Sequence, residues 1–94
     1  MKYSYVYIMA SNNETLYVWV TSDLIKRVYE HKNWVCEWFT KKYFCNKVVY
    51  FELFEDINEA IKKEKQIKKW KREYKINLIN SKNVMWNDLY NEVL

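Results

Sequence analysis

The chain has 94 residues, half of them hydrophobic and 19% aromatic, with a formal net charge of +4. That length holds one domain, 1–94, and the apolar content excludes a disordered chain. No run of about 18 apolar residues is present, which excludes a membrane-spanning helix.

Tyr3 to Ala10 alternates, with Tyr3, Tyr5, Tyr7 and Met9 on one side and Ser4, Val6, Ile8 and Ala10 on the other, and this period predicts a strand. Because the strand pattern starts so early, no signal peptide is expected, and the cytoplasm is the expected compartment. Ser11-Asn12-Asn13-Glu14 reads as a turn, since asparagine tolerates left-handed backbone where glycine is missing. Thr15 to Val20 is rich in β-branched and aromatic residues and predicts a second strand, making an antiparallel hairpin with the first. Val6, Ile8, Val18 and Val20 then share one face; Tyr5, Tyr7, Tyr17 and Trp19 share the other.

Thr21-Ser22-Asp23 supplies an N-cap for a helix to about Lys32. Leu24, Val28 and His31 fall along one stripe of it, and Arg27 and His31, four apart, are surface neighbours. Asn33 to Asn46 has no period and reads as a loop. It holds Cys36 and Cys45, which match no zinc spacing and are read as free thiols in a reducing cell. Lys47 to Phe54 predicts a third strand. Asp56-Ile57-Asn58-Glu59 reads as a capping box that opens a long helix through about Trp70. A further helical stretch covers about Glu73 to Ile79. A last short helix, about Trp86 to Val93, brings Leu89, Tyr90 and Val93 onto the domain.

The long helix has an apolar stripe at Ile57, Ala60, Ile61, Ile67 and Trp70, and the stripe position between Ile61 and Ile67 holds Glu64. A carboxylate there costs free energy unless it is paired or bound to a cation. Two readings stand: an ion pair with a lysine at the stripe edge, or a ligand for a hard divalent cation such as Mg²⁺ or Mn²⁺. Tyr7 and Tyr17 project from one hairpin face, and Arg27 and His31 from the first helix. A carboxylate, an Arg, a His and paired tyrosines suit phosphoryl transfer, in which a metal activates water, an arginine stabilises developing charge and a Tyr or His moves the proton. Each alone is ordinary packing or surface. The cations clustered at Lys62, Lys63, Lys65, Lys68, Lys69, Lys71, Arg72 and Lys75 form either a solvated helix face or a phosphate-binding one.

These segments, in this order, resemble the GIY-YIG nucleases. Tyr5-Val6-Tyr7 stands at the first motif and Tyr17-Val18-Trp19 at the second. Thr21 to Lys32 is similar to the loop and helix that follow, and Phe39-Thr40-Lys41-Lys42-Tyr43 to the next block. Glu59 to Lys68 resembles the helix with the acidic metal ligand, and Asn83 through Asp88-Leu89-Tyr90 the tail of small stand-alone bacterial members, similar to the nuclease domain of the excision-repair incision subunit. The resemblance implies an α+β fold, a three-stranded antiparallel sheet flanked by helices in the order β-β-α-β-α-α. It implies Glu64 as the ligand of one Mg²⁺ or Mn²⁺, Arg27 as the phosphate-stabilising residue, Tyr17 or Tyr7 as the group that orients or deprotonates water, and His31 in or beside the site. Thr21, Lys26, Lys41 and Lys68 are the expected nucleic-acid contacts. The expected activity is a metal-dependent endonuclease on DNA, with RNA also open, that reads shape or backbone rather than sequence. The alternative is a nucleic-acid-binding module without cleavage.

The chain departs from the family pattern at its glycines. It contains no Gly and no Pro, where average usage gives about seven and about five. Trp19, Trp34 and Trp38 stand at expected glycines, Val84 at an expected proline, and Lys69 where glycine is common. An indole in a strand glycine position is expected to overpack the sheet and obstruct the catalytic face. AT-rich coding explains scarce Gly, Pro and Ala but not five tryptophans. The hypothesis that covers both is a gene whose UGA codons mean glycine, read here as tryptophan; ordinary UGG at codons 19, 34 and 38 refutes it.

Overall fold

The computed structural model describes residues 3–11, 15–32 and 47–93, with only the backbone described for His31 and Val93. The alternating residues of the first strand become β1 (Ser4–Ala10), the centre of a three-stranded antiparallel sheet in the order β2-β1-β3, with β2 at Leu16–Thr21 and β3 at Lys47–Phe54. Ser11 closes the hairpin: its N–H donates to the Thr15 carbonyl at 3.0 Å, and its hydroxyl accepts from the Thr15 N–H at 3.0 Å. The β1–β2 register pairs Tyr7 with Trp19 and Met9 with Tyr17, so these four share one face. On the other side of β1 the pairing passes from Ile8–Tyr50 to Met9–Val48, a bulge with Val49 as the extra residue.

Among the described residues four helices cover the sheet: α1 (Leu24–Lys32), α2 (Ile57–Lys69), α3 (Arg72–Lys82) and the short α4 (Tyr90–Val93). One face carries Val6, Ile8, Ala10 and Val18 and packs against Ala60 and Ile67 of α2 and Ile79 of α3. The other carries Tyr7, Met9 and Val48 and packs against Leu24 and Val28 of α1, with Leu89 and Tyr90 at the margin. Each fully buried Val, Leu, Ile or Met side chain among these stabilises the fold by about 1.5–3 kcal/mol. The expected β-β-α-β-α-α order and the division of faces are present among the described residues, with the short α4 following. No helix among the described residues is long and apolar enough to cross a membrane.

The caps stand where the sequence places them. The Asp23 carboxylate accepts from the Lys26 N–H at 3.2 Å and opens α1, while the Asp56 carboxylate accepts from the Asn58 N–H at 2.9 Å and opens α2. Three boundaries and one burial differ from expectation. α2 ends at Lys69, with Trp70 in extended backbone as its C-cap. α3 runs a turn further than Ile79, to Lys82. Trp86 does not begin a helix: its φ of 54° is left-handed, and the last helix starts only at Tyr90. Ile57, the first residue of α2, is 42% exposed and not part of the buried stripe.

Asn83 and Asp88 fasten the tail between α3 and α4. The buried Asn83 amide donates to the carbonyls of Val49 (3.0 Å) and Asn87 (2.8 Å) and accepts from the Asn87 N–H (3.0 Å). Asp88 accepts from the Val48 N–H at 3.2 Å and the Tyr90 N–H at 3.1 Å and pairs with Lys32. The Leu89 N–H bonds the Val48 carbonyl at 2.8 Å.

Candidate active site

Glu64 lies on the apolar stripe of α2 and is 6% exposed, between the buried Ala60 and Ile67. Of the two readings of this carboxylate, the ion pair is present: Lys68 Nζ is 2.5 Å from Glu64 Oε2, at the i,i+4 spacing of neighbours on a helix. Lys68 reaches further. Its ammonium stands 3.6 Å from the centroid of the Trp19 ring, a cation–π contact with the edge strand β2. Trp19 in turn stacks on Tyr17, with ring centroids 6.1 Å apart and planes inclined by 22°. The run Glu64, Lys68, Trp19, Tyr17 therefore links α2, which covers one sheet face, to aromatic side chains that project from the opposite face.

Trp19 is 38% exposed and lies in regular strand backbone, so the expected overpacking does not occur. The indole lies outward along the edge strand. Its effect is on the site face, where it holds Lys68 and covers part of Tyr17.

Of the two tyrosines, Tyr7 is fully buried, among Met9, Leu24, Val28 and Val48. Tyr17 is half-buried and nearer to solvent. Arg27 is half-buried on α1, which packs over the Tyr7 and Met9 face, and its guanidinium pairs with Glu30 at 3.3 Å. His31 follows one turn later on the same helix, and its side chain lies outside the described residues. The Thr21 hydroxyl accepts from the Asp23 N–H at 3.1 Å, so it shapes the entry to α1 and lines an open cavity beside Glu55 and Asp56. Lys26 is exposed on α1. Lys41, Trp34, Trp38 and both cysteines lie outside the described residues.

The donor chemistry at Glu64 suits a hard divalent cation. Its carboxylate is sunk in an apolar stripe and draws a positive charge to itself, with the Lys68 ammonium in the place of a cation. No group of three or more His, Cys, Asp or Glu placed to hold a metal ion occurs among the described residues. An ion here would take one protein carboxylate and complete its shell with water and phosphate oxygens, the habit of Mg²⁺.

Sequence reasoning left the Glu64 partner open, although the i,i+4 lysine was the signal that names it. It missed the aromatic contact of Lys68, which follows from strand register and not from helix spacing.

The sequence model of the GIY-YIG catalytic domain matches residues 3–78. A UPF0213 protein of Clostridium perfringens is 38% identical over 96% of this chain and 97% of its own length. A UPF0213 protein of Haloquadratum walsbyi is 36% identical over 78% of this chain and 82% of its own. The solution NMR structure of the UPF0213 protein BH0048 from Bacillus halodurans superposes with a TM-score of 0.60 at 23% identity, covering 92% of each chain, and so has the same fold.

Proposed function

We propose, from the premise that this chain belongs to the GIY-YIG catalytic domain family, that it is a metal-dependent endonuclease hydrolysing phosphodiester bonds in DNA. The observation that carries this reading is Glu64, an acidic side chain 6% exposed on an otherwise apolar stripe, whose buried charge has to be met by a cation.

In this reading Glu64 holds Mg²⁺ or Mn²⁺, which when bound neutralises phosphate oxygens and acidifies a water. Arg27 stabilises the charge that develops on the phosphate. Its partner Glu30 keeps the guanidinium in place until substrate competes for it. Tyr17, rather than the fully buried Tyr7, orients or deprotonates the attacking water. Tyr7 supports that arrangement from the core, and His31 serves beside Arg27. Lys68 leaves Glu64 for a substrate phosphate, joined by Thr21, Lys26 and Lys41 as further contacts to the backbone.

The test is cleavage of labelled single-stranded, duplex, flapped and four-way DNA in Mg²⁺, in Mn²⁺ and in chelator. Metal-dependent cutting of any of these supports the reading; binding without cutting under every condition favours the module that only binds. The observation on that second side is the Trp19 indole, which holds Lys68 against the carboxylate.

A further inference from the structure

Away from Glu64, the end of α2 and the exposed side of α3 leave an open groove of about 490 Å³ lined by Trp70, Tyr74, Asn77, Leu78 and Ser81. The α3 members recur at i, i+3, i+4 and i+7, so they form one continuous stripe. Leu78 packs partly on the core, whereas Tyr74 is 54% exposed, a large ring left at the surface.

Cations flank the groove. Lys63 Nζ stands 5.7 Å from the Trp70 ring centroid, and Lys71 and Arg72 are exposed at the junction of the two helices. Lys75 is half-buried on the next turn. Its amine is held below the usual lysine range by burial and then by the charges of Arg72 and Lys68. The last of these is the lysine paired with Glu64. Between Lys71 and Ser81 the only carboxylate is Glu73.

Apolar aromatic rings bordered by cations match a polyanion whose flat apolar groups are free to leave solvent. Single-stranded nucleic acid is such a ligand, since its bases stack on aromatic side chains while its phosphates pair with lysine and arginine. In a duplex the same bases are already stacked within the helix.

We propose that the Trp70–Tyr74 groove stacks an unpaired base of single-stranded DNA while Lys71, Arg72 and Lys75 hold the adjoining phosphates. This rests on the nuclease reading for the identity of the ligand and adds to it a strand contact outside the Glu64 site.

The experiment measures fluorescence anisotropy of a labelled oligothymidylate of about twelve nucleotides and of a blunt duplex of the same length. It uses the Glu64→Ala chain without metal, so that cutting cannot intervene. Tyr74→Ala is expected to weaken binding of the single strand about 5- to 100-fold and to leave duplex binding within about twofold. Tyr74→Phe, which keeps the stacking ring, should bind the single strand like the parent. Circular dichroism melting confirms that each variant is folded. Unchanged single-strand affinity in Tyr74→Ala, an equal loss for both DNAs, or no single-strand binding by the parent overturns the groove. Absence of cleavage in the metal assay strikes the nuclease reading alone and leaves this binding result intact.

Discussion

The Lys68 ammonium lies 2.5 Å from the carboxylate of Glu64, one helical turn before it on α2. A divalent ion at Glu64 has to displace that ammonium. Replacing Lys68 with Met should therefore lower thermal stability in chelator, where the buried carboxylate loses its partner, and increase the stabilisation gained from Mn²⁺. An ion at about 100 times its Kd adds about 2.7 kcal/mol, or roughly 10–20 °C in a domain of this size. Melting curves with and without Mn²⁺ check this, and the Mn²⁺ shift should vanish in Glu64→Gln.

Trp19 holds Lys68 from the other side. Trp19→Gly should cost about 1–2 kcal/mol, the sum of a cation–π contact and a glycine in a strand interior. No core cavity adds to this, because the indole is largely outside the core. The same change should raise metal-dependent cleavage by freeing Lys68 and uncovering Tyr17. Urea unfolding and cleavage rates on the same preparation separate the two effects. The coding DNA supplies an independent check: UGA at codons 19, 34 and 38 supports a reassigned glycine, and UGG contradicts it.

Much of this fold was legible because its faces are written in period two and period 3.6. The hairpin faces, the Asp23 and Asp56 caps and the burial of Glu64 follow from spacing alone. The tail did not follow. Trp86 adopts a left-handed turn because Asn83 takes up the backbone of Asn87 and the carbonyl of Val49, and the second of these is a long-range partner that no local pattern announces. The candidate site was legible as a set of residues but not as a sequence of contacts, since Trp19 meets Lys68 only through the placement of α2 beside the edge strand.

Asn83 offers a test of that tail. Asn83→Ala removes both carbonyl bonds and the acceptor for the Asn87 N–H, and buried groups left unmatched cost about 1–3 kcal/mol. Urea unfolding of the variant should show a loss in that range. Because the residue anchors α4 to β3 and not the Glu64 site, cleavage by the folded fraction should be retained.

Lys75 should show opposed effects on stability and binding. Its folded pKa lies below its ordinary value of 10.5, with desolvation first and Arg72 and Lys68 next among the causes. In the window between the folded pKa and 10.5 the unfolded chain binds more protons, so this group makes stability rise with pH there. At neutral pH the charged Lys75 is therefore unfavourable. Lys75→Met should stabilise the chain modestly, by less than about 1 kcal/mol given its partial exposure and solvent screening, with the gain fading toward pH 10.5. The same variant should bind single-stranded DNA less tightly and with a shallower salt dependence. Denaturation at several pH values and binding at several salt concentrations check the two halves.

Glu64→Gln isolates the carboxylate as metal ligand, because it keeps the volume of the side chain and removes its charge. The measurement is the single-turnover cleavage rate of a labelled flapped duplex in Mn²⁺, for the chain as it stands and for Trp19→Gly, each with and without Glu64→Gln. Metal-dependent cutting, faster in Trp19→Gly, is expected to fall to background in both Glu64→Gln partners while their circular dichroism spectra stay unchanged. Cutting that survives Glu64→Gln at the parent rate contradicts Glu64 as the metal ligand, and no cutting by either parent contradicts the nuclease itself.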